Sequence, residues 1–144
     1  MDKVIRAGVS RRDVMGILVR SERPEEAQRA HQSIAFLDQI PDYDPEAIGL
    51  FINGTAMAAG GLRQAGPALG VLWVVSCVDL EPYRFPLMRH AHALTRRAKQ
   101  RGWNVVSFVP NAVDRAKNPS IHLGLKPRPM PDGTRTLYAE KVVP

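Results

Sequence analysis

The apolar positions near the start of the chain change from strand-like to helix-like spacing. Residues 4–7 are mostly apolar and are followed by Gly8, which predicts a short strand that ends there. Ser10, with Asp13 three residues later, has the form of a capping box ahead of an apolar helical pattern. From Pro24 onward, apolar residues recur at intervals of three and four, which predicts a second, amphipathic helix.

The middle of the chain has the patterns of three successive strands. The pattern at Ile48, Leu50 and Ile52 has the period of two that predicts a strand, and it leads to Asn53-Gly54, a dipeptide typical of type I′ hairpin turns. The returning strand is predicted at 55–62. Residues 70–78 are almost continuously apolar, which predicts a central strand covered on both faces.

The second half of the chain predicts a crossover followed by a closing strand. Apolar residues at intervals of four and three predict a helix over 85–101, and Gly102 is a typical helix stop. The apolar stretch at 103–109 then predicts a strand parallel to the central one. A further short helix, a proline-rich turn region at 127–133 and a closing strand at 134–143 complete the chain.

Length and composition favour one soluble domain. The chain has 144 residues, of which 44% are hydrophobic and 24% charged. Cys77 is the single cysteine, so an intrachain disulfide is excluded, and its apolar neighbours predict a buried thiol. His90 and His92 would point about 200° apart on the predicted helix, and no metal site is expected. No start resembling a signal peptide and no run of ~18 apolar residues is present, which predicts neither secretion by that route nor a membrane span.

The predicted order is β-α-α-β-β-β-α-β-α-β, an α+β domain over residues 1–144 with a mixed central sheet flanked by helices. This order resembles the GNAT (GCN5-related N-acetyltransferase) family over nearly the whole chain. The resemblance is strengthened by the strand at 72–79, the helix after it, Asn111, and the Leu-Gly-Leu-Lys sequence at 123–126, which looks like the last turn of the family. More narrowly, the chain resembles the small GNAT-like virion-associated proteins of tailed bacteriophages.

The resemblance implies a site for acetyl-CoA at the start of the helix that follows the central strand. The family binds the pyrophosphate there on backbone N–H groups, in the pattern Q/R-x-x-G-x-G/A. Arg84 matches the leading position, but Leu87 and Arg89 stand at the two glycine positions, and Pro86 has no N–H to donate. Weak binding of acetyl-CoA, or none, is therefore expected. If the cofactor does bind, the candidate contacts are Arg84, Val74, Cys77 and Asn111.

The same resemblance implies an incomplete set of catalytic groups. Many family members have a tyrosine four residues before the glycine of the last turn, where this chain has Ser120, and a serine hydroxyl is too weak an acid to replace it. His122 is close in sequence and is a candidate for that role, although a packed or surface histidine is the commoner case. Asp79 and Glu81 are candidate bases, although carboxylates at a strand end more often cap a helix or face solvent.

Charge is unevenly distributed along the chain, whose net charge is +6. Residues 84–128 hold ten of the 20 basic residues and a single acidic one, whereas residues 22–46 hold seven of the 14 acidic residues. The candidate interaction surface comprises Arg89, Arg96, Arg97 and Arg101. Its partner would be an acidic region of another copy, another virion protein or DNA, and a solvated helix face is the simpler alternative.

Two functions follow from these observations. The favoured hypothesis is a catalytically degenerate GNAT-like protein, with no cofactor, that acts through protein–protein contacts as a bacteriophage virion or assembly component. Its location would be the virion or the host bacterial cytoplasm. The alternative is an active acetyl-CoA-dependent N-acetyltransferase on an amine substrate. The substituted glycines and the substituted tyrosine favour the first hypothesis, because each removes a separate requirement of the second.

Overall fold

The computed structural model describes residues 2–20, 40–110, 123–128 and 135–139. Within these residues the elements run in the following order: β1 (Lys3–Ser10), α1 (Arg11–Arg20), β2 (Tyr43–Ile52), β3 (Thr55–Gly66), β4 (Leu69–Ser76), a 3-10 turn (Glu81–Tyr83), α2 (Arg84–Gln100), β5 (Asn104–Pro110), β6 (Lys126–Arg128) and β7 (Arg135–Ala139). The strand order in the sheet is β1-β2-β3-β4-β5-β7-β6, with β4 and β5 parallel. The predicted α+β class with a mixed sheet is confirmed.

The chain divides into two compact units. Unit 1 comprises Met1–Gly61 and Val74–Leu87, and unit 2 comprises Leu62–Trp73 and Met88–Pro144. The single domain expected from the sequence stays a prediction, and the two units are described separately.

In unit 1, the junction between β1 and α1 is closed by the predicted capping box. The backbone N–H of Ser10 donates to Asp13 Oδ2 at 3.0 Å, and the backbone N–H of Asp13 donates to Ser10 Oγ at 3.0 Å. Two backbone donors that helix geometry leaves without partners are thereby satisfied. The helix that follows buries Val14 and Ile17 completely, so the capping box directs the apolar face of α1 into the core.

The sequence predicted that the first strand ends at Gly8, but the strand continues past this residue. Its pairing with β2 shifts between Ala7 and Val9 and then continues to Ser10. Gly8 has a φ of 98°, which a residue with a Cβ rarely adopts, and a Cβ there would collide with the hydroxyl of Tyr43. The glycine therefore forms a β-bulge inside the strand, and the strand prediction was too short for this reason.

The hairpin between β2 and β3 is confirmed. Asn53 and Gly54 have φ values of 51° and 79°, the positive values that a type I′ turn requires at both central residues. Both strands extend beyond their predicted ends: β2 begins at Tyr43 and β3 continues to Gly66. The turn chemistry located the hairpin, and pairing within the sheet set its length.

In unit 2, the strands joined by α2 are parallel neighbours, as predicted. Their register runs from Leu69↔Asn104 to Leu72↔Ser107. Val71, Val106 and Ala139, from β4, β5 and β7, form a buried cluster with Leu69 and Leu137 at its margin. This cluster joins the two parallel strands to the antiparallel β7.

The part of α2 that belongs to unit 2 packs through the apolar stripe that the sequence predicted. Leu94 and Ala98 are buried, and Thr95, also buried, donates its hydroxyl to the Ala91 carbonyl at 2.8 Å. Gly102, with a φ of 79°, follows the helix as predicted. None of the helices among the described residues is long and apolar enough to span a membrane.

Two further predictions need correction. Val74, in the strand predicted to be covered on both faces, is 61% exposed. Lys126–Arg128 form β6 within the region predicted as turns, because β7 provides a pairing partner for this edge strand, and an edge strand tolerates Pro127. The helices predicted to begin at Pro24 and after Asn111 lie outside the described residues.

Candidate functional site

The end of β4, the 3-10 turn and the start of α2 form the candidate site, which lies in unit 1. Asp79 Oδ1 accepts the backbone N–H of Glu81 at 3.1 Å, and Tyr83 N–H donates to the Leu80 carbonyl at 2.9 Å. These two bonds hold the turn that leads into α2. The Asp79 carboxylate thus stabilises the backbone of the turn, although its side chain is exposed.

Arg84 begins α2 and is held by two neighbours. Its guanidinium forms an ion pair with the Glu81 carboxylate and lies 4.8 Å from the centroid of the Phe85 ring. The Phe85 side chain is 71% exposed, and both members of the ion pair are about half exposed. The arrangement presents a positive charge and an aromatic face to solvent at one place.

The end of β4 has backbone groups that point away from β3. The Cys77 N–H donates to the Met57 carbonyl of β3 at 3.0 Å. Because backbone groups alternate in direction along a strand, those of Val74 and Ser76 point away from β3. The exposed Val74 side chain lies on the same segment. An extended ligand that carries amide groups can form strand-like hydrogen bonds with backbone groups of this kind.

Cys77 is half-buried rather than buried, so that prediction was wrong. The chain bends after β4, where Ser76 Oγ accepts the Val78 N–H at 3.1 Å and donates to the Val78 carbonyl at 2.6 Å. The Cys77 Sγ lies 3.3 Å from the Met57 carbonyl oxygen and 3.8 Å from Met57 Sδ. The bend moves the thiol to the margin of the core.

The structure brings Asp79 and Glu81 together beside Arg84, whereas Ser120, His122 and Asn111 lie outside the described residues. His90 is half-buried and His92 is exposed. Among the residues that the structure describes, no group of three or more His, Cys, Asp or Glu side chains is arranged to hold a metal ion.

The start of α2 has few N–H groups to offer an anion. The Arg84 N–H donates to the Glu81 carbonyl, the Tyr83 N–H is used within the turn, and Pro86 has none. The usual advantage of a helix N-terminus in binding phosphate depends on such donors. At this place the Arg84 side chain, rather than a set of backbone donors, is the group available to an anion.

The arginines of the candidate interaction surface do not share one face. Arg89 and Arg96 are exposed on the same side of α2, together with His92 and Lys99. Arg97 lies on another side and donates its Nε to the Ala93 carbonyl at 3.4 Å.

Arg101 follows the helix, and its guanidinium is 5.6 Å from the Trp103 ring centroid. The residues predicted from the sequence for the site and the surface did not include Phe85, His92 or Lys99. The spacing of three and four residues from Arg89 through Arg96 was the signal for the last two.

Comparison with known proteins identifies the fold. No protein-family model matches the chain, and no curated protein matches it. Solved structures do match over nearly its whole length. The PaiA N-acetyltransferase of Thermoplasma acidophilum, in complex with coenzyme A, has a TM-score of 0.63 and 14% identity, covering 99% of this chain and 100% of that one.

Two further solved structures agree. A probable acetyltransferase of Staphylococcus epidermidis has a TM-score of 0.63 and 12% identity, covering 96% of this chain and 98% of that one. An acetyltransferase of Agrobacterium tumefaciens has a TM-score of 0.62 and 12% identity, covering 97% of this chain and 91% of that one. The chain has the fold of the GNAT acetyltransferases.

Proposed function

We propose that this protein binds an acyl-CoA, with acetyl-CoA the first candidate, and transfers the acyl group to an amine. The observation that carries the proposal is the end of β4, where the backbone groups of Val74 and Ser76 point away from β3, followed along the chain by the turn that presents the exposed Arg84. The fold supports the same function, because the solved structures that share it include acetyltransferases and one complex with coenzyme A.

The described residues divide the binding between backbone and side chain. The amides of the pantetheine arm would pair with the backbone of Val74 and Ser76, and the Arg84 guanidinium would bind the pyrophosphate. To do so, Arg84 must exchange Glu81 for phosphate, which leaves the Glu81 carboxylate without its cation. The amine nitrogen would bond to the carbonyl carbon of the thioester as the C–S bond breaks, and CoA would leave as a thiolate that takes up the proton lost by the amine.

The carboxylates at the turn have a role on the amine side. An amine can attack only after it loses a proton, and Glu81, once released from Arg84, is an exposed carboxylate within three residues of it. Asp79 is engaged with the Glu81 N–H and so contributes mainly to the shape of the turn. Glu81 is therefore the better of the two predicted bases.

A second function is favoured by the start of α2. Pro86 and the N–H groups already used by the 3-10 turn reduce the donors available to a pyrophosphate. Leu87 and Arg89 carry side chains where the family has glycines. These features support a GNAT-fold protein without transferase activity, which would act as a virion or assembly component through protein contacts.

Calorimetric titration of acetyl-CoA into the full chain separates the two functions. The first function predicts saturable binding that Arg84→Ala weakens at least tenfold, because a charge-assisted contact contributes roughly 1.5–3 kcal/mol. Arg12→Ala is the matched control, since Arg12 is an exposed arginine of α1 in the same unit. Acetylation of a panel of primary amines, followed by mass spectrometry, then tests transfer.

Each outcome decides between the two functions. Binding that depends on Arg84, together with acetylated amine, supports the transferase. Binding of acetyl-CoA without acetylation of any amine would support the cofactor site and contradict transferase activity. No heat of binding at millimolar acetyl-CoA overturns the proposal in favour of the second function.

A further inference from the structure

One face of α2 carries a regular row of basic side chains. Arg89, His92, Arg96 and Lys99 are separated by three, four and three residues, and all four are exposed. At 100° per residue they fall within an arc of about 80°, and the row is roughly 15 Å long. The opposite side of the helix buries Leu94 and Ala98. The row is therefore a continuous surface of unit 2.

The row has no acidic residue beside it on the helix. The α2 sequence, RFPLMRHAHALTRRAKQ, contains no Asp or Glu, although exposed helices are usually stabilised by opposite charges three or four residues apart. Like charges at this spacing repel one another, and the whole chain is also basic, with a pI near 10.0. A partner with a dense negative charge would relieve the repulsion.

We propose that this row binds the phosphate backbone of a DNA duplex. A duplex carries one negative charge per ~1.7 Å of its axis, so a straight row of this length faces several phosphates at once. Arginine suits these contacts, because its planar guanidinium forms forked hydrogen bonds with phosphate oxygens.

The composition of the row also defines the mode of binding. Residues 89–99 contain no Phe, Tyr or Trp, so they provide no platform for stacking the bases of single strands. The proposed contacts are to phosphate oxygens, which carry no sequence information directly. Binding through this face is therefore expected to be independent of DNA sequence.

The proposal is independent of the acyl-CoA site. Arg84, Val74 and Ser76 belong to unit 1, whereas the row belongs to unit 2. Arg96 and Lys99 lie outside the stretch 84–89 that corresponds to the family's pyrophosphate pattern. A variant at these two positions can therefore fail to bind DNA and still bind acetyl-CoA, and the reverse holds for Arg84→Ala.

Fluorescence anisotropy with a labelled duplex of random sequence tests the proposal, using the full chain over a range of salt concentrations. Arg89, Arg96 and Lys99 carry the positive charges of the row, and three phosphate contacts predict a slope of about −2.7 for log K against log salt, which is roughly a 40-fold loss of affinity over a fourfold rise in salt. Arg96→Gln/Lys99→Gln removes two contacts, and its slope should be about 1.8 less steep. Both side chains are exposed, so the circular dichroism melt should be unchanged.

A control double variant separates the row from net charge. Arg12→Gln/Lys126→Gln removes the same two charges from exposed positions outside the row and should keep the wild-type slope. If this control lowers the slope as much as the row variant, net charge and not the row binds DNA, and the proposal is wrong. It is equally wrong if the wild-type chain does not bind at low salt, or if the row variant abolishes self-association in sedimentation and leaves DNA binding unchanged.

Discussion

Two junctions in unit 1 lead from a strand into a helix, and they use their polar groups differently. Between β1 and α1, Ser10 and Asp13 bond each other's backbone, and the helix beyond them is anchored in the core. Between β4 and α2, a 3-10 turn intervenes, and Arg84 and Phe85 remain exposed.

The difference between the junctions shows which one is available for ligands. At the first junction the side chains satisfy the protein's own backbone, so they have structural value and little capacity to bind anything else. At the second junction the backbone is satisfied within the turn, and a cation and an aromatic ring face solvent. A ligand site is therefore expected at the β4–α2 junction, and changes at the β1–α1 junction should alter stability alone.

The largest expected effect is on the first junction. Ile17→Ala should lower the free energy of unfolding by about 2–5 kcal/mol, because Ile17 is fully buried and its truncation leaves a cavity. Urea denaturation measures the change. Phe85→Ala, at the second junction, should stay within about 0.5 kcal/mol of wild type because that side chain is 71% exposed. Equal losses for the two variants would contradict the distinction between the junctions.

The second effect concerns ligand affinity at the β4–α2 junction. Pro86→Ala adds an N–H at the start of α2 and should tighten acetyl-CoA binding about tenfold, since a hydrogen bond to a charged group contributes roughly 1.5–3 kcal/mol. Calorimetry gives the dissociation constant. Pro45→Ala, in β2, is the matched control and should leave it unchanged. An unaltered affinity for Pro86→Ala would show that the pyrophosphate does not lie at this helix start.

A smaller effect is expected from the capping box. Ser10→Ala should cost about 1 kcal/mol of stability, because the N–H of Asp13 loses its acceptor. Thermal unfolding measures the change, and Ser10→Thr should restore most of it. The corresponding change at the second junction, Asp79→Ala, removes an exposed bond and should stay within about 0.5 kcal/mol. A larger loss of stability for Asp79→Ala than for Ser10→Ala would contradict the distinction between the two junctions.

The smallest effect is on the ion pair of the second junction. Glu81→Gln releases Arg84 from its carboxylate and should tighten acetyl-CoA binding, by fivefold at most, because exposed pairs contribute up to about 1 kcal/mol. The gain should shrink as salt is added, since salt screens the original pair. Weaker binding by Glu81→Gln would instead show that Glu81 helps to orient Arg84 toward the ligand.

The sequence by itself determined the features that depend on a few neighbouring residues. The capping box at Ser10 and Asp13, the hairpin at Asn53-Gly54 and the helix stop at Gly102 were all predicted and are confirmed. Each depends on a local backbone conformation or a short hydrogen bond, so its cause lies within the segment. The parallel pairing of β4 and β5 was also predictable, because a helical crossover between two strands imposes it.

Part of the candidate site was predictable in the same way. Arg84, Asp79 and Glu81 were selected from their position after an apolar strand, and the structure places them in one turn. Their pairing was not predictable, because the sequence does not say which carboxylate binds the backbone and which binds the guanidinium. That choice depends on the geometry of the 3-10 turn.

Only the tertiary structure decided which apolar residues are covered. Val74 and Cys77 lie in a continuously apolar stretch, yet Val74 is exposed and Cys77 is half-buried. A run of apolar residues indicates that a strand is suited to a buried position. Burial also requires a neighbour on each face of the strand, and those neighbours come from distant parts of the chain. For the same reason, β6 forms in a proline-rich region, because β7 is there to pair with it.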